Sequence, residues 1–372
     1  MPPQSSRALR DERRTRIDTA LAEAGLDALV VAGDPWRSDY LRYALDATPL
    51  EGRAIAIVER GGAARLFVDS PAEGARFAKE LPDVAVSASR SAISDAERAI
   101  GALIVKRVAL APVAAVPYRL AMGPFGRTIA EGTALLDRLM LVKSQREIEC
   151  LRKAAALADD GYSVFSEAAR AGRAEYELVA EVEAFFRSRG CPENFQILGS
   201  GGREVRGMHP PGDRRLAEGD LVTTELTPCV DGYYAQICRT LVVGRATEAQ
   251  RRAFAVYDEA LGAGLAALKP GATAGDVARA ENEIFRREGL GDYVTSEYTR
   301  VRGHGLGLYV DSRPMLLEDV ALEFRPGMTL IVHPNTYHPE VGYFVHGDSA
   351  VVTDGGSEVL TRTTRALFEV PA

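Results

Sequence analysis

Tryptophan occurs once in the 372-residue chain and cysteine four times. The cysteines, Cys150, Cys191, Cys229 and Cys238, show no CxxC spacing. That excludes a dense disulfide framework and reads as reduced thiols in a cytoplasmic protein. No apolar run approaches the roughly 20 residues that a membrane span needs. Met1 to Arg16 holds no apolar stretch of the signal-peptide kind. Positive charge is also short: 45 Lys and Arg against 52 Asp and Glu leave a net charge of −7. Such a chain has no global attraction for phosphate backbones or anionic lipid, so neither nucleic acid nor membrane is expected as a partner. The one dense basic run, Arg10–Arg16, reads as the solvated face of a helix. What is present is ordinary for a globular protein, 46% hydrophobic and 26% charged. A disordered or collagen-like chain is excluded, and the length suits two domains.

The first part of the chain alternates short apolar runs with helical patterns. Strand candidates are Ala28–Ala32, Arg53–Val58, Ala64–Val68, Val84–Val86 and Val108–Leu110. Helical spacing marks 7–24, 71–80, 94–105 and 118–132. The alternation predicts an α/β layer domain over residues 1–140. Residues 141–173 read as a long charged helix, with Glu147, Glu149, Arg152 and Lys153 on a solvated face. A helix over Glu175–Arg189 ends at Gly190. Beyond residue 219 the strand-like runs Leu221–Leu226, Tyr233–Val243, Met328–Val332 and Asp348–Val352 enclose helices near 248–268 and 274–288, with Thr247 and Thr273 as N-caps. Residues 141–372 are therefore expected to form an α+β domain with a mostly antiparallel sheet.

Histidine is scarce, and its placement is informative. His209, His304, His333, His338 and His346 all fall in the second domain, each beside a Gly or Pro loop or a strand end. Imidazole suits proton transfer and metal binding near neutral pH. Glu225 interrupts the apolar strand Asp220–Leu226. A carboxylate there either turns to solvent on the alternating face or is functional. Cys238 is a small buried hydrophobe or a thiolate activated by a nearby histidine. Gly303–Gly307 lacks the Lys-Ser/Thr ending and the following helix of a phosphate loop, and Gly199–Gly202 reads as a turn.

Four segments in order carry a resemblance: Gly219–Val222 continuing to Gly232-Tyr233-Tyr234 and Arg239-Thr240; Gly303–Gly307; Pro326-Gly327-Met328; and Asp348–Thr353 with Gly355–Thr361. They resemble the pita-bread domain of the creatinase, prolidase and methionine-aminopeptidase superfamily (peptidase M24). The preceding 140 residues are similar in layout to the creatinase/prolidase N-terminal domain. The metallopeptidases of that superfamily hold two metals with Asp, Asp, His, Glu and Glu. By the resemblance, those positions fall on Glu225, Gln236, His304, His333 and Gly347 here. Gln236 and Gly347 supply no anion there, and hard divalent pairs need several carboxylate oxygens. A second family histidine that steadies the substrate falls at Asp311, which argues against Pro-directed cleavage.

The metal-free creatinase-type branch is the nearer resemblance at Gly232-Tyr233-Tyr234 through Arg239-Thr240. It implies a small-molecule C–N hydrolase, cleaving an amide, amidine or guanidino group without a cofactor. His209 would be the general acid/base, Glu225 the nucleophile or base, and Cys238 a second nucleophile candidate. His304 and His333 would polarise the carbonyl or bind substrate. Creatine itself is excluded, because the two substrate carboxylates of creatinase fall on Cys238 and His333. Substrate contacts fall on Arg53, Tyr234, Gln236 and Asp311. Arg53 matches an arginine that reaches the neighbouring subunit's site, which implies a homodimer with shared sites. Two alternatives stay open: one Zn or Fe ion held by Glu225, His304 and His333, and an inactive homologue that acts as a binding module.

Overall fold

The computed structural model describes residues 7–103, 107–122 and 128–372. The chain divides into two units, residues 2–141 and 142–372. Among the described residues no helix is long and apolar enough to cross a membrane.

The N-terminal unit runs α1 (Arg7–Glu23), β1 (Ala28–Gly33), α2 (Asp39–Leu45), β2 (Ala54–Glu59), β3 (Ala64–Val68), α3 (Pro71–Glu80), β4 (Ala85–Ala88), α4 (Ala92–Ala102), β5 (Arg107–Ala111), α5 (Tyr118–Ala121), β6 (Thr128–Glu131) and α6 (Thr133–Leu141). Its sheet order is β4-β3-β2-β1-β5-β6. β1 lies centrally, antiparallel to β2 and parallel to β5, and is buried along its whole length. This is why its sequence is a continuous apolar run rather than an alternation. α3 starts where Ser70 accepts from the Glu73 N–H, with Pro71 in the first turn.

Two readings from sequence are corrected here, and the end of a third lies outside the described residues. The helix expected over 118–132 is the short α5 followed by strand β6; residues 123–127 lie outside the described ones. Residues 104 and 105, expected to end the 94–105 helix, also lie outside them. Arg10–Arg16 is not wholly a solvated face. Arg13 is buried with Leu9, Ile17 and Leu21, and its Nη1 donates to the Arg42 carbonyl at 2.6 Å. A cation is tolerated inside because this carbonyl, and the Asp46 carboxylate at 3.9 Å, stand in for its water.

The C-terminal unit runs α7 (Gln145–Ala168), α8 (Glu175–Ser188), β7 (Asn194–Gly201), β8 (Leu221–Val230), β9 (Tyr233–Tyr234), β10 (Ile237–Val243), α9 (Glu248–Ala267), α10 (Ala274–Arg287), β11 (Gly303–Gly305), β12 (Ser312–Met315), β13 (Thr329–Val332), β14 (Thr336–His338), β15 (Gly342–Phe344), β16 (Gly347–Thr353), β17 (Gly356–Val359) and β18 (Phe368–Val370). The main sheet runs β12-β11-β13-β16-β10-β8-β7. Its neighbours along that path are antiparallel. Ser144, Thr247 and Thr273 each cap a helix and close a capping box with Glu147, Gln250 and Asp276. Gly199–Gly201, read as a turn, is the end of strand β7. The 141–173 helix is broken at 142–144 by Ser144, whose side chain starts α7. Glu147 is buried rather than solvated, because it closes that box and accepts from Tyr233 Oη at 2.6 Å.

Strand alternation sorts the two sheet faces. Val222, Leu226, Ile237 and Leu241 pack against Tyr162, Phe165, Val182 and Phe186 of α7 and α8. Leu221 and Val242 pack against Ala253, Tyr257 and Phe285 of α9 and α10. Each large side chain so buried contributes about 1.5–3 kcal/mol. Glu225 and Cys238 have the same parity as Leu221 and Val242, so they lie on the α9/α10 face. On α10, Glu281 sits on the buried stripe with Val277, Ala278 and Phe285. Both of its carboxylate oxygens are buried without a hydrogen-bond partner. Gly264 of α9 makes the room, since a Cβ there would collide with the carboxyl.

Burial pushes the Glu281 pKa well above the ordinary 4.5, with Arg302 pulling the other way. The folded state therefore holds this proton more tightly than the unfolded chain. Its stabilising effect is full below about pH 4.5 and is lost as pH rises towards the folded-state value. Glu281→Gln is expected to flatten the loss of stability between mildly acidic and neutral pH. Urea midpoints of both proteins across that range check it, and equal slopes would sink it.

Candidate active site

The register of β11, β13, β16, β10 and β8 assembles the site. Cys238 pairs with Glu225, and Gly347 pairs with Cys238. Val332 pairs with Asp348 on one side and Gly303 on the other. One row therefore runs from Glu225 through Cys238 and Gly347 to His333, which follows β13. His304 on β11 completes it. The His304 and His333 rings meet edge to face with centroids 5.6 Å apart. Gln236 lies just before β10, and its Nε2 donates to Cys238 Sγ at 3.4 Å.

Glu225 is the ionisable centre of this row. Its Oε1 accepts from Asn335 Nδ2 at 2.7 Å. The Cys238 thiol and the Gln236 amide also hydrogen-bond the carboxyl. Burial raises its pKa to about 7, offset in part by these three donors, while Asp311 adds to the rise. Burial first, and the Glu225 charge second, push the Cys238 thiol upward. Cys238 is therefore a neutral S–H donor, not the thiolate expected from sequence. Burial lowers the pKa of both His304 and His333, so both imidazoles are neutral at pH 7. His333 Nδ1 is buried without a partner, whereas His304 Nδ1 lies 3.0 Å from the Gly305 carbonyl.

Of the other expected residues, Asp311 borders the row and the rest are dispersed. His209 lies half-exposed on the loop beside β7, with its main chain bridged to Leu198. Its Nδ1 is 2.7 Å from the Pro210 carbonyl. Asp311 is mostly exposed, 3.6 Å from His304. Tyr234 is buried, and its N–H donates to the Gly307 carbonyl at 2.8 Å. Arg53 is exposed in the N-terminal unit, where its N–H donates to Asp69. His346 is buried away from the row, 3.1 Å from Asp258, and His338 accepts from the Glu340 N–H. Sequence reasoning missed Asn335 and the buried Arg302 that holds it. The available signals were an amide two residues past His333 and a cation directly before Gly303-His304.

An α/β N-terminal domain followed by a pita-bread domain defines the class, and solved structures share it. The prolidase from Pyrococcus horikoshii OT3 superposes with a TM-score of 0.83 at 25% identity, over 96% of this chain and 99% of that one. The X-Pro aminopeptidase from Thermotoga maritima MSB8 superposes at 0.85 with 21% identity, over 96% and 99%, a likeness of fold. The sequence model of metallopeptidase family M24 matches residues 149–354, and the chain belongs to that family. A Xaa-Pro dipeptidase of Pyrococcus horikoshii is 27% identical over 364 residues, 96% of this chain and 99% of the relative. One from Pyrococcus furiosus is 32% identical over 236 residues, 63% of this chain and 67% of the relative.

These findings overturn two expectations. A creatinase-type, metal-independent C–N hydrolase is not supported, because the relatives carry the names of dipeptidases and prolidases. The expectation of no cofactor falls with it, since the family is one of metallopeptidases. The five side chains themselves nevertheless do not fit a two-metal centre. Gln236 offers an amide engaged with Cys238. Gly347 offers no donor, and a Cβ there would stand 2.6 Å from the Cβ of His333 and 2.8 Å from the Val332 carbonyl. The Cβ of His333 and the main chain at 332–333 thus stand where a side chain at 347 would begin. The alternative of a single ion on Glu225, His304 and His333 fares no better: among the described residues no three His, Cys, Asp or Glu side chains form a metal-holding group.

Two outcomes follow. Gly347→Ala should cost about 1–3 kcal/mol by overpacking, read by chemical denaturation; an unchanged midpoint would contradict the crowding. Protein grown with excess Mn or Co should hold no stoichiometric metal pair, and elemental analysis showing one would overturn the reading of the donor set.

Proposed function

We propose that the chain hydrolyses the amide bond of a dipeptide-sized substrate at the Glu225 pocket, with Glu225 moving the proton. One observation carries the reading. Glu225 is a buried carboxyl ringed by neutral donors, Asn335, Gln236 and Cys238, with a pKa of about 7. A group half protonated near neutrality serves both halves of a hydrolysis. As carboxylate it takes a proton from the attacking water while the water oxygen bonds the carbonyl carbon. As acid it returns that proton to the departing nitrogen when the C–N bond breaks. His333, neutral and buried with Nδ1 unpartnered, donates an N–H to the carbonyl oxygen as it gains charge, while His304, whose N–H is held by the Gly305 carbonyl, offers a lone pair that accepts from the substrate. Gln236 beside Cys238 and Asp311 beside His304 bind the rest of the substrate. The names of the relatives, Xaa-Pro dipeptidase and prolidase, support the substrate size and direct the first assay to Xaa-Pro dipeptides.

The proposal includes a homodimer in which Arg53, exposed in its own unit, reaches the partner's site. A cytoplasmic location is supported by four cysteines that are all buried and form no disulfide. The test is turnover of Xaa-Pro and other dipeptides, with and without added Mn, Co or Zn. Glu225→Gln keeps the shape of the side chain and should lower kcat by about 10²–10⁴-fold. Absence of turnover on every dipeptide, or a fully active Glu225→Gln protein, would refute the reading.

A further inference from the structure

Arg302 is fully buried, one residue before the Gly303-His304 strand. Its guanidinium bonds only neutral acceptors. Nε donates to Asn282 Oδ1 at 2.6 Å, Nη1 to the Asn335 carbonyl at 2.6 Å, and Nη2 to the Thr299 carbonyl. Its main chain is tied as well. The N–H donates to the Leu316 carbonyl, and the carbonyl accepts from the His333 N–H at 3.0 Å. Arg302 thus grips the turn His333-Pro334-Asn335 at both ends, once through its carbonyl and once through its fork. The Asn335 amide is itself held at both ends: its Oδ1 accepts from the His346 N–H at 3.0 Å, and its Nδ2 donates to Glu225 Oε1. A buried guanidinium is costly, and an apolar side chain would fill the same space without that cost. What an apolar residue would not do is fix the height and tilt of the Asn335 amide.

We infer that Arg302 is a positioning residue for Glu225, acting through the turn that carries Asn335. Asn335 is the donor to Glu225 that comes from a connecting turn rather than from β10 or its lead-in. Strand pairing sets Cys238 opposite Glu225, but no ladder sets Asn335. The planar fork supplies that constraint, because three directional bonds to three separate segments leave the turn one position. The inference rests on the proposed role of Glu225, and its test is arranged so that the two fail separately.

In protein labelled with 15N-asparagine, the side-chain amide signal of Asn335 is identified by its loss in Asn335→Ser. Glu225→Gln should displace it. Arg302→Lys keeps the charge but loses the fork, and should displace the same signal in a cooperatively folded protein. If a dipeptide is turned over, Arg302→Lys should also lower kcat about tenfold while KM stays within about twofold, and added guanidinium should restore part of the loss. Should Arg302→Lys fail to fold, Asn282→Ala, which removes one acceptor of the fork, is read in the same way. An unmoved Asn335 signal in the folded variant overturns the inference. If the wild type turns over no dipeptide, the activity reading alone fails, and the amide signal still decides this one.

Discussion

The pairing of β8, β10, β16, β13 and β11 is the constraint on which the site depends. Side chains alternate faces along a strand, so a slip of one residue would turn Glu225 and Cys238 towards α7 and α8. In the observed register they face α9 and α10, with Cys238 directly opposite Glu225 and Gly347 opposite Cys238. The two helix layers make such a slip costly, because Leu221 and Val242 on one face and Val222 and Leu241 on the other would exchange places. The hydrophobic core thereby fixes the chemistry. The same residues that bury the sheet decide which polar groups meet.

Charge follows from that meeting. Apart from Glu225, the residues in the row are amide, thiol and imidazole, groups that burial keeps neutral. A carboxyl among neutral donors needs no counter-cation, but it does not ionise as easily as it would in water. The fully buried Arg302 spends its bonds on carbonyl and amide oxygens and leaves the carboxyl to Asn335. The family is built around metal ions. This pocket is instead organised by hydrogen bonds between groups of zero or partial charge.

The fold was largely legible in the sequence where its signals are local. Thr247 and Thr273 cap the helices they were expected to cap, because a side-chain hydroxyl and a residue three positions on suffice to start a helix. The apolar run at β1 announced a strand buried on both faces. The stretch 118–132 misled because its helical spacing competes with pairing to β5, a long-range interaction that a window cannot register. Arg13 and Glu147 were taken for solvated groups because charge pattern gives no view of partners distant in sequence. At the site, strand residues such as Glu225 and Cys238 stood out by their type in an apolar context. Asn335 and Arg302 did not, because turn geometry brings them together across 33 positions. The motif resemblance pointed to the right superfamily but to the wrong branch.

The close approach at 333 and 347 limits what the pocket can hold. A Cβ at 347 would stand 2.6 Å from the Cβ of His333 and 2.8 Å from the Val332 carbonyl, atoms that stay in place whatever ring or chain position 333 carries. A ligating side chain at 347 therefore needs the two segments to move apart, not only a replacement of the imidazole. The spacing of the main chain, as much as the identity of its side chains, closes this corner to a further donor.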